Sequence, residues 1–390
     1  MLTHQDADCS LVINDKKYPH HIGSIIRLLE FEKIKYNVVN APDAQFYGNK
    51  HYYNASSYNS WFFFTRFVSK LLLFFGLSAF SDKVSSFYWM ILLKKMKVKL
   101  VIGIQPHPGL CIAGRKLNIP VFDYQHGVID RGHWWYDNKA KCQPINHLPT
   151  DFLCWDSVAQ ECLNTWTKNL GINTHVVGNL WIYRFLYPEH DDPIFLEFDK
   201  LHKTEGINIL VTLQPNLHKV YYKESDYWVM PNSLMHIINE SADCYNWFIR
   251  LHPIQLLDDN RDRVEYYLKE NFGSNQNVDW EICTKIPLPQ LLSIIDMHIT
   301  DMSTVVLDAE YFGIPSALMS LSLNDGMSLE FLYKKQRDQG IATVVGHDEE
   351  TIKNWISSKS FKKNIKMKKM EMNFNTILSR CNNGKENNDN

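Results

Sequence analysis

Three short runs set titratable or hydroxyl side chains directly after apolar, β-branched segments. In Tyr124-Gln125-His126-Gly127 the glycine allows a sharp turn, and a histidine there suits a general base or an imidazole facing a phosphate. Asp130, Arg131 and His133 add polar groups to the same loop. In Arg250-Leu251-His252-Pro253 the proline keeps His252 out of helical geometry, at a strand tip. The third run, Ile299-Thr300-Asp301-Met302-Ser303-Thr304, precedes a helical pattern that Gly313 and Pro315 close. Ser303 and Thr304 are expected to cap that helix, whose backbone N–H groups offer an anion site, and Asp308 is one turn in, within reach of a ribose hydroxyl. Gln105-Pro106-His107-Pro108 and Gln214-Pro215-Asn216 follow apolar runs in the same way and line the same edge. Taken alone, each histidine run reads sooner as a structural turn, and spacing does not separate ordinary capping from phosphate binding at the Ser-Thr pair. Their joint occurrence at strand ends, where open α/β sheets bind ligands, gives them weight.

The elements that must position these residues alternate. Short β-rich runs fall near 10–13, 35–39, 99–104, 120–124, 151–155 and 175–177, and again near 207–213, 247–251, 280–283, 298–300 and 316–319, with helical patterns between them. The expected fold class is α/β, with two doubly wound halves in tandem and a cleft between them. Residues 1–185 form the first half and 206–358 the second; 186–205 is a linker, and 359–390 a basic helix and polar tail. No G-x-G-x-x-G or G-x-x-x-x-G-K-[ST] loop occurs, so a standard dinucleotide fold or P-loop NTPase has no support. The only D-x-D, Asp6-Ala7-Asp8, precedes a strand rather than following one, so no metal is called for.

Composition narrows the classes further. With 390 residues, 45% hydrophobic, the chain holds enough apolar material for two cores. Forty-one basic against 43 acidic residues removes the electrostatic footprint of a nucleic-acid binder. Eight cysteines without a C-x-x-C pair, and no basic-then-apolar start, point to a reducing, cytoplasmic setting. Residues 61–80 are almost as apolar as a membrane span, but Thr65, Arg66, Ser69 and Lys70 recur on one narrow helical face. Either the helix packs in a core with one wet stripe, or it lies on a membrane. Lysines at 94, 95, 97 and 99, and again at 359, 362, 363, 366, 368 and 369, suit an anionic inner-leaflet surface.

The QHG, RLHP and ITDMST…D…GIP runs together resemble those of GT-B enzymes of bacterial surface-polysaccharide synthesis, a group that includes capsule Kdo transferases, sialyltransferases and CDP-glycerol glycerophosphotransferases. The resemblance covers about Val101 to Pro315. It implies two Rossmann-like domains facing each other across a cleft, and transfer of a sugar from a CMP- or other nucleotide-linked donor to a polysaccharide or lipid-linked oligosaccharide, with no cofactor. Donor contacts then fall on His252, Ser303, Thr304, Asp308 and Arg250, and the base on His126 or Asp130. Gln125, Gln214 and Asp301 line the cleft. Thr304 stands where the glycerophosphotransferase signature has a second serine, and the acidic motif of the sialyltransferases is absent, which weighs against sialic acid. The rivals are polyol-phosphate transfer on the same fold, a nucleotide-sugar epimerase acting without an acceptor, and a non-catalytic polysaccharide-binding protein.

Overall fold

The computed structural model describes residues 1–4, 11–40, 55–57, 59–131, 134–198, 205–215, 229–256, 258–360 and 373–382. Asp6 to Asp8, His133, Asn216 and the lysines from 362 to 369 lie outside them. The chain divides into two compact units: Met1–Tyr187 together with Met370–Asn390, and Pro188–Lys369.

The first unit is built on a parallel sheet of β1 (Leu2–His4), β4 (Val38–Asn40), β5 (Ala55–Ser57), β6 (Val101–Gly103), β7 (Val121–Tyr124), β8 (Asp151–Cys154) and β9 (Asn173–Val176), in the order β5-β4-β1-β6-β7-β8-β9. Strands β6, β7 and β8 are buried along their whole length because both faces are covered. One side packs Ile22, Ile25, Phe122, Tyr124 and Leu153 with Leu2; the other packs Trp89, Leu92, Leu93, Val101 and Val121. Two strand expectations move. An inner strand of the sheet is Leu2–His4, too short to show a period, so Asp6-Ala7-Asp8 comes after a strand in the sequence, contrary to expectation, although it lies outside the described residues. The run near 10–13 instead forms a separate antiparallel hairpin of β2 (Leu11–Ile13) and β3 (Lys16–Tyr18). Asn14 and Asp15 turn it with φ of 49° and 57°, the left-handed pair a tight two-residue hairpin needs.

The second unit has a parallel sheet of β10 (Ile207–Thr212), β11 (Tyr245–Arg250), β12 (Val278–Asp279), β13 (Met297–Thr300), β14 (Ser316–Leu318) and β15 (Ala342–Val344), in the order β12-β11-β10-β13-β14-β15. The strand expected at 280–283 stops at Asp279, whose carboxylate accepts from the N–H groups of Glu281, Ile282 and Cys283 and starts the short helix Ile282–Lys285. His298 is fully buried within the sheet, joined to Thr212 Oγ1 at 2.8 Å and Ser316 Oγ at 3.0 Å, so it bridges β10, β13 and β14.

Two further expectations change. The C-terminal segment carries a helix, Asn375–Asn382, that packs on the first unit rather than lying apart: Ile377 is fully buried among Leu2, Ile22 and Leu153. The reading of residues 61–80 as a core helix also fails. Among the described side chains of α2 (Asn59–Phe74) only Phe62 is buried, and the other large apolar side chains are partly or largely exposed.

Candidate active site

In each sheet the strand order reverses beside its first strand, between β1 and β6 in one unit and between β10 and β13 in the other. At such a switch point the flanking connections leave in opposite directions and open a crevice at the carboxyl ends. Gln214 lies just beyond β10 and Met302 just beyond β13, and Met302 N donates to Gln214 Oε1 at 3.0 Å. From the neighbouring tip of β11, Gln255 Nε2 donates to the Gln214 carbonyl at 3.5 Å, and Gln255 Oε1 accepts from His252 N at 2.8 Å. One run of hydrogen bonds therefore ties the QP, RLHP and TDMST turns into a single rim.

His252 is oriented within that rim. Its Nδ1 accepts from Ile254 N at 3.1 Å, which leaves the proton of the neutral ring on Nε2, as a donor to a ligand oxygen. Burial lowers its pKa and favours that neutral form. Ser303 and Thr304 do not cap as expected. Thr304 already has helical dihedrals (φ −60°, ψ −15°), so its side chain makes no cap bond and is exposed, while Ser303 Oγ accepts from Val305 N at a long 3.4 Å. Burial raises the Asp308 carboxyl to about 7. Arg250 is turned to its own unit, donating to the carbonyls of Cys283 and, at 2.8 Å, Ile286; burial brings it down to about 10. Asp301 is buried, and its carbonyl accepts from Ser320 N at 3.1 Å.

The first unit carries two polar places around the end of β7. On one side, His126 Nδ1 meets the hydroxyl of buried Tyr136 at 3.3 Å. His21, at the start of α1 (His20–Phe31), is close enough to feel its charge: burial, then His20, then His126 lower the His21 pKa, against a backbone hydrogen bond with His126. Gln125 holds the turn from within, its Oε1 accepting from Trp155 N at 2.7 Å and its Nε2 donating to the Gly127 carbonyl at 2.8 Å. Asp130 Oδ1 accepts from Arg131 N at 2.7 Å, and its charge acts on the Cys162 thiol.

On the other side is a cavity of about 170 Å³ lined by Gln105, His107, Asp123, Trp135, Gln143 and His147, among others. Gln105 turns there with φ 44° and its N–H donates to the buried Asp123 carboxylate at 2.8 Å. His107 caps α4 (Pro108–Leu117), accepting from Gly109 N at Nδ1, 3.1 Å. Its pKa is pushed down to about 4 by burial, then by Arg66 and His147.

Gln255, Asp123, Tyr136 and His21 escape the sequence reading. Asp123 offered a signal, a carboxylate inside an otherwise apolar strand; the others sit at no distinctive spacing.

The sequence matches no protein-family model and no curated protein. Solved structures do match it. A putative UDP-N-acetylglucosamine 2-epimerase from Listeria monocytogenes is 11% identical with a TM-score of 0.58, over 100% of this chain and 97% of its own. The UDP-GlcNAc 2-epimerase of Methanocaldococcus jannaschii, in complex with UDP-GlcNAc and UDP, is 15% identical with a TM-score of 0.57, over 94% of each chain. That of Neisseria meningitidis, bound to UDP-GlcNAc, is 12% identical with a TM-score of 0.54, over 92% and 91%. At such identities the likeness is one of fold: the chain has the two Rossmann-like units of the GT-B fold.

Proposed function

We propose that the chain is a glycosyltransferase that moves a sugar from a nucleotide-activated donor to a surface-polysaccharide or lipid-linked oligosaccharide acceptor, with no metal. The observation that carries this reading is the hydrogen-bonded rim of His252, Gln255, Gln214 and Met302 at the switch point of the second unit. The donor's phosphate accepts from His252 Nε2 and the Thr304 hydroxyl, and Asp308 takes a ribose hydroxyl. As the bond between the anomeric carbon and the phosphate oxygen breaks, negative charge grows on that oxygen, and donors already in position stabilise it.

His126 is the base. With Nδ1–H donated to Tyr136, Nε2 carries the lone pair that removes the proton from the acceptor hydroxyl as it attacks the anomeric carbon. The acceptor's reacting hydroxyl lies against His126 at the end of β7, and the cavity on the other side of that strand takes a neighbouring sugar unit, its hydroxyls on Asp123 and His107 and its ring on Trp135. Arg250 and Gln125 hold the turns that present these groups.

Titration calorimetry with CMP, CDP, UDP and GDP tests the donor site. His252→Ala, and Ser303→Ala with Thr304→Ala, should each weaken the preferred nucleotide by about 1.5–3 kcal/mol, the worth of hydrogen bonds to a charged group. Combined, they should lose less than the sum, because they share one ligand. Normal affinity in either variant, or full additivity, would remove the rim from donor binding.

His126→Ala should keep nucleotide affinity and lose about a hundred- to ten-thousand-fold in turnover. Unchanged turnover would pass the role of base to Asp130. Product analysis separates the rivals, since a phosphodiester product means polyol-phosphate transfer and turnover without acceptor means epimerisation.

A further inference from the structure

The helix α2 and its successor α3 (Ser78–Lys95) form a hairpin whose polarity is reversed. A surface helix normally buries its apolar stripe and exposes its polar one. Here Thr65 and Ser69 are partly buried and return their hydroxyls to backbone, Thr65 to Phe62 O at 2.9 Å and Ser69 across to Ser81 O at 3.3 Å. The rings face outward instead. Phe64, Phe67, Leu71 and Phe74 are exposed on α2, and Phe80 and Phe87 on α3, with Phe74 82% and Phe75 65% exposed at the turn. A soluble monomer rarely shows an apolar patch of more than a few hundred Å² unless something covers it.

Charge identifies what covers it. Residues 59–99 hold seven cations, Arg66, Lys70, Lys83, Lys94, Lys95, Lys97 and Lys99, against a single carboxylate, Asp82, which pairs with His147 at 3.0 Å. The whole chain has a net charge of −2, so this is a local concentration. A second copy of the same hairpin would bring like charges together across a twofold axis. An anionic lipid surface attracts them, at about 1 kcal/mol for each cation near the headgroups. A groove of about 100 Å³ between the helices, lined by Trp61, Phe87, Ile91 and Lys95 among others, sets apolar side chains beside a lysine.

Length decides between lying on the membrane and crossing it. The 16 residues of α2 reach about 24 Å, short of the roughly 30 Å of a hydrocarbon core. Among the described residues no helix is long and apolar enough to span.

We propose that the α2–α3 hairpin docks the protein on an anionic bilayer, with the Phe74-Phe75 turn immersed below the headgroups and the flanking lysines on lipid phosphate. The docking stands apart from the catalytic reading: vesicle binding without sugar transfer would overturn only the latter.

Co-sedimentation of the full chain with vesicles tests it, using phosphatidylcholine alone and phosphatidylcholine mixed with phosphatidylglycerol. The wild type should bind the mixed vesicles, bind the neutral ones weakly, and be released by salt. Phe74→Ser with Phe75→Ser should lose about tenfold or more in vesicle affinity, and Lys70→Glu with Lys83→Glu should abolish the preference for anionic lipid. Both variants carry their changes on exposed side chains and should melt as the wild type does. Wild-type indifference to anionic vesicles would overturn the proposal, as would unchanged binding by the phenylalanine variant. A wild-type dimer that the same variant splits, without vesicle binding, would assign the patch to a second copy.

Discussion

Asp308 and His252, the two groups proposed to meet the donor nucleotide, are both held toward their neutral forms by burial. It lowers the imidazole and raises the carboxyl to about 7. Near neutrality Asp308 is thus part protonated, and only its ionised form accepts two ribose hydroxyl protons. Nucleotide affinity should therefore rise as pH climbs through about 7, and Asp308→Asn should flatten that dependence. Titration calorimetry on either side of that pH checks it, and a wild-type curve as flat as the variant's would take Asp308 off the ribose. His252 and Gln214 were legible as candidates because each follows a strand tip by two residues, where parallel sheets bind, and Asp308 because it lies one turn into the helix after the third tip. Gln255 was not, because a glutamine in a polar loop has no period, and its role appears only when the Gln214 turn comes beside it. Arg250 was legible as a strand-end cation, but nothing in its neighbours foretold the carbonyls of Cys283 and Ile286 that receive it.

Among the elements, α4 presents His107 to the first unit's cavity, and its approach to α3 depends on glycine. A Cβ at Gly109 would come within 2.9 Å of the Ser85 backbone carbon, which a rotamer change cannot relieve. Gly109→Ala should therefore cost about 1–3 kcal/mol by overpacking and displace the imidazole, whose Nδ1 accepts from that same residue's N–H. Denaturant unfolding reads the loss, and nucleotide binding at the second unit's rim should stay as it was. A neutral substitution would mean that α3 and α4 can separate without disturbing the site. The sequence announced α4 and most strands of both sheets through apolar runs and periodicity. It could not announce the direction of α2. A stripe of Thr65, Arg66, Ser69 and Lys70 opposite rings fixes only that the helix has two faces. Which one turns inward depends on what α3 offers it.

Over the whole molecule, buried neutral histidines make both units sensitive to acid. In the first, His107 is pushed down to about 4 by burial with Arg66 and His147, and His21 is also lowered, by burial first. In the second, burial pushes His298 down to about 3 while Thr212 and Ser316 hold its two nitrogens. The usual value is 6.5. As pH falls below that, the unfolded chain takes up protons the native state refuses, so stability declines from about 6.5 toward 4 and 3, each displaced unit being worth about 1.4 kcal/mol. Asp151 adds to the decline further down: burial pushes it up, but hydrogen bonds from His175, Thr150 and Asn173 outweigh that and keep it below 3.8, so its contribution is lost as pH falls through its lowered pKa. Asp308 acts the other way. Its native form holds a proton between 3.8 and about 7 that the unfolded chain has released, so its share of stability grows as pH drops through that window. The lowered histidines His21, His107, His252 and His298, set against one raised carboxyl, leave acid destabilising on balance. Thermal melting should therefore fall steadily below pH 6.5, and His298→Gln, which retains a donor and an acceptor between Thr212 and Ser316, should melt lower near neutrality but lose less on acidification. A variant that keeps the full acid slope would show that His298 is protonated in the folded sheet.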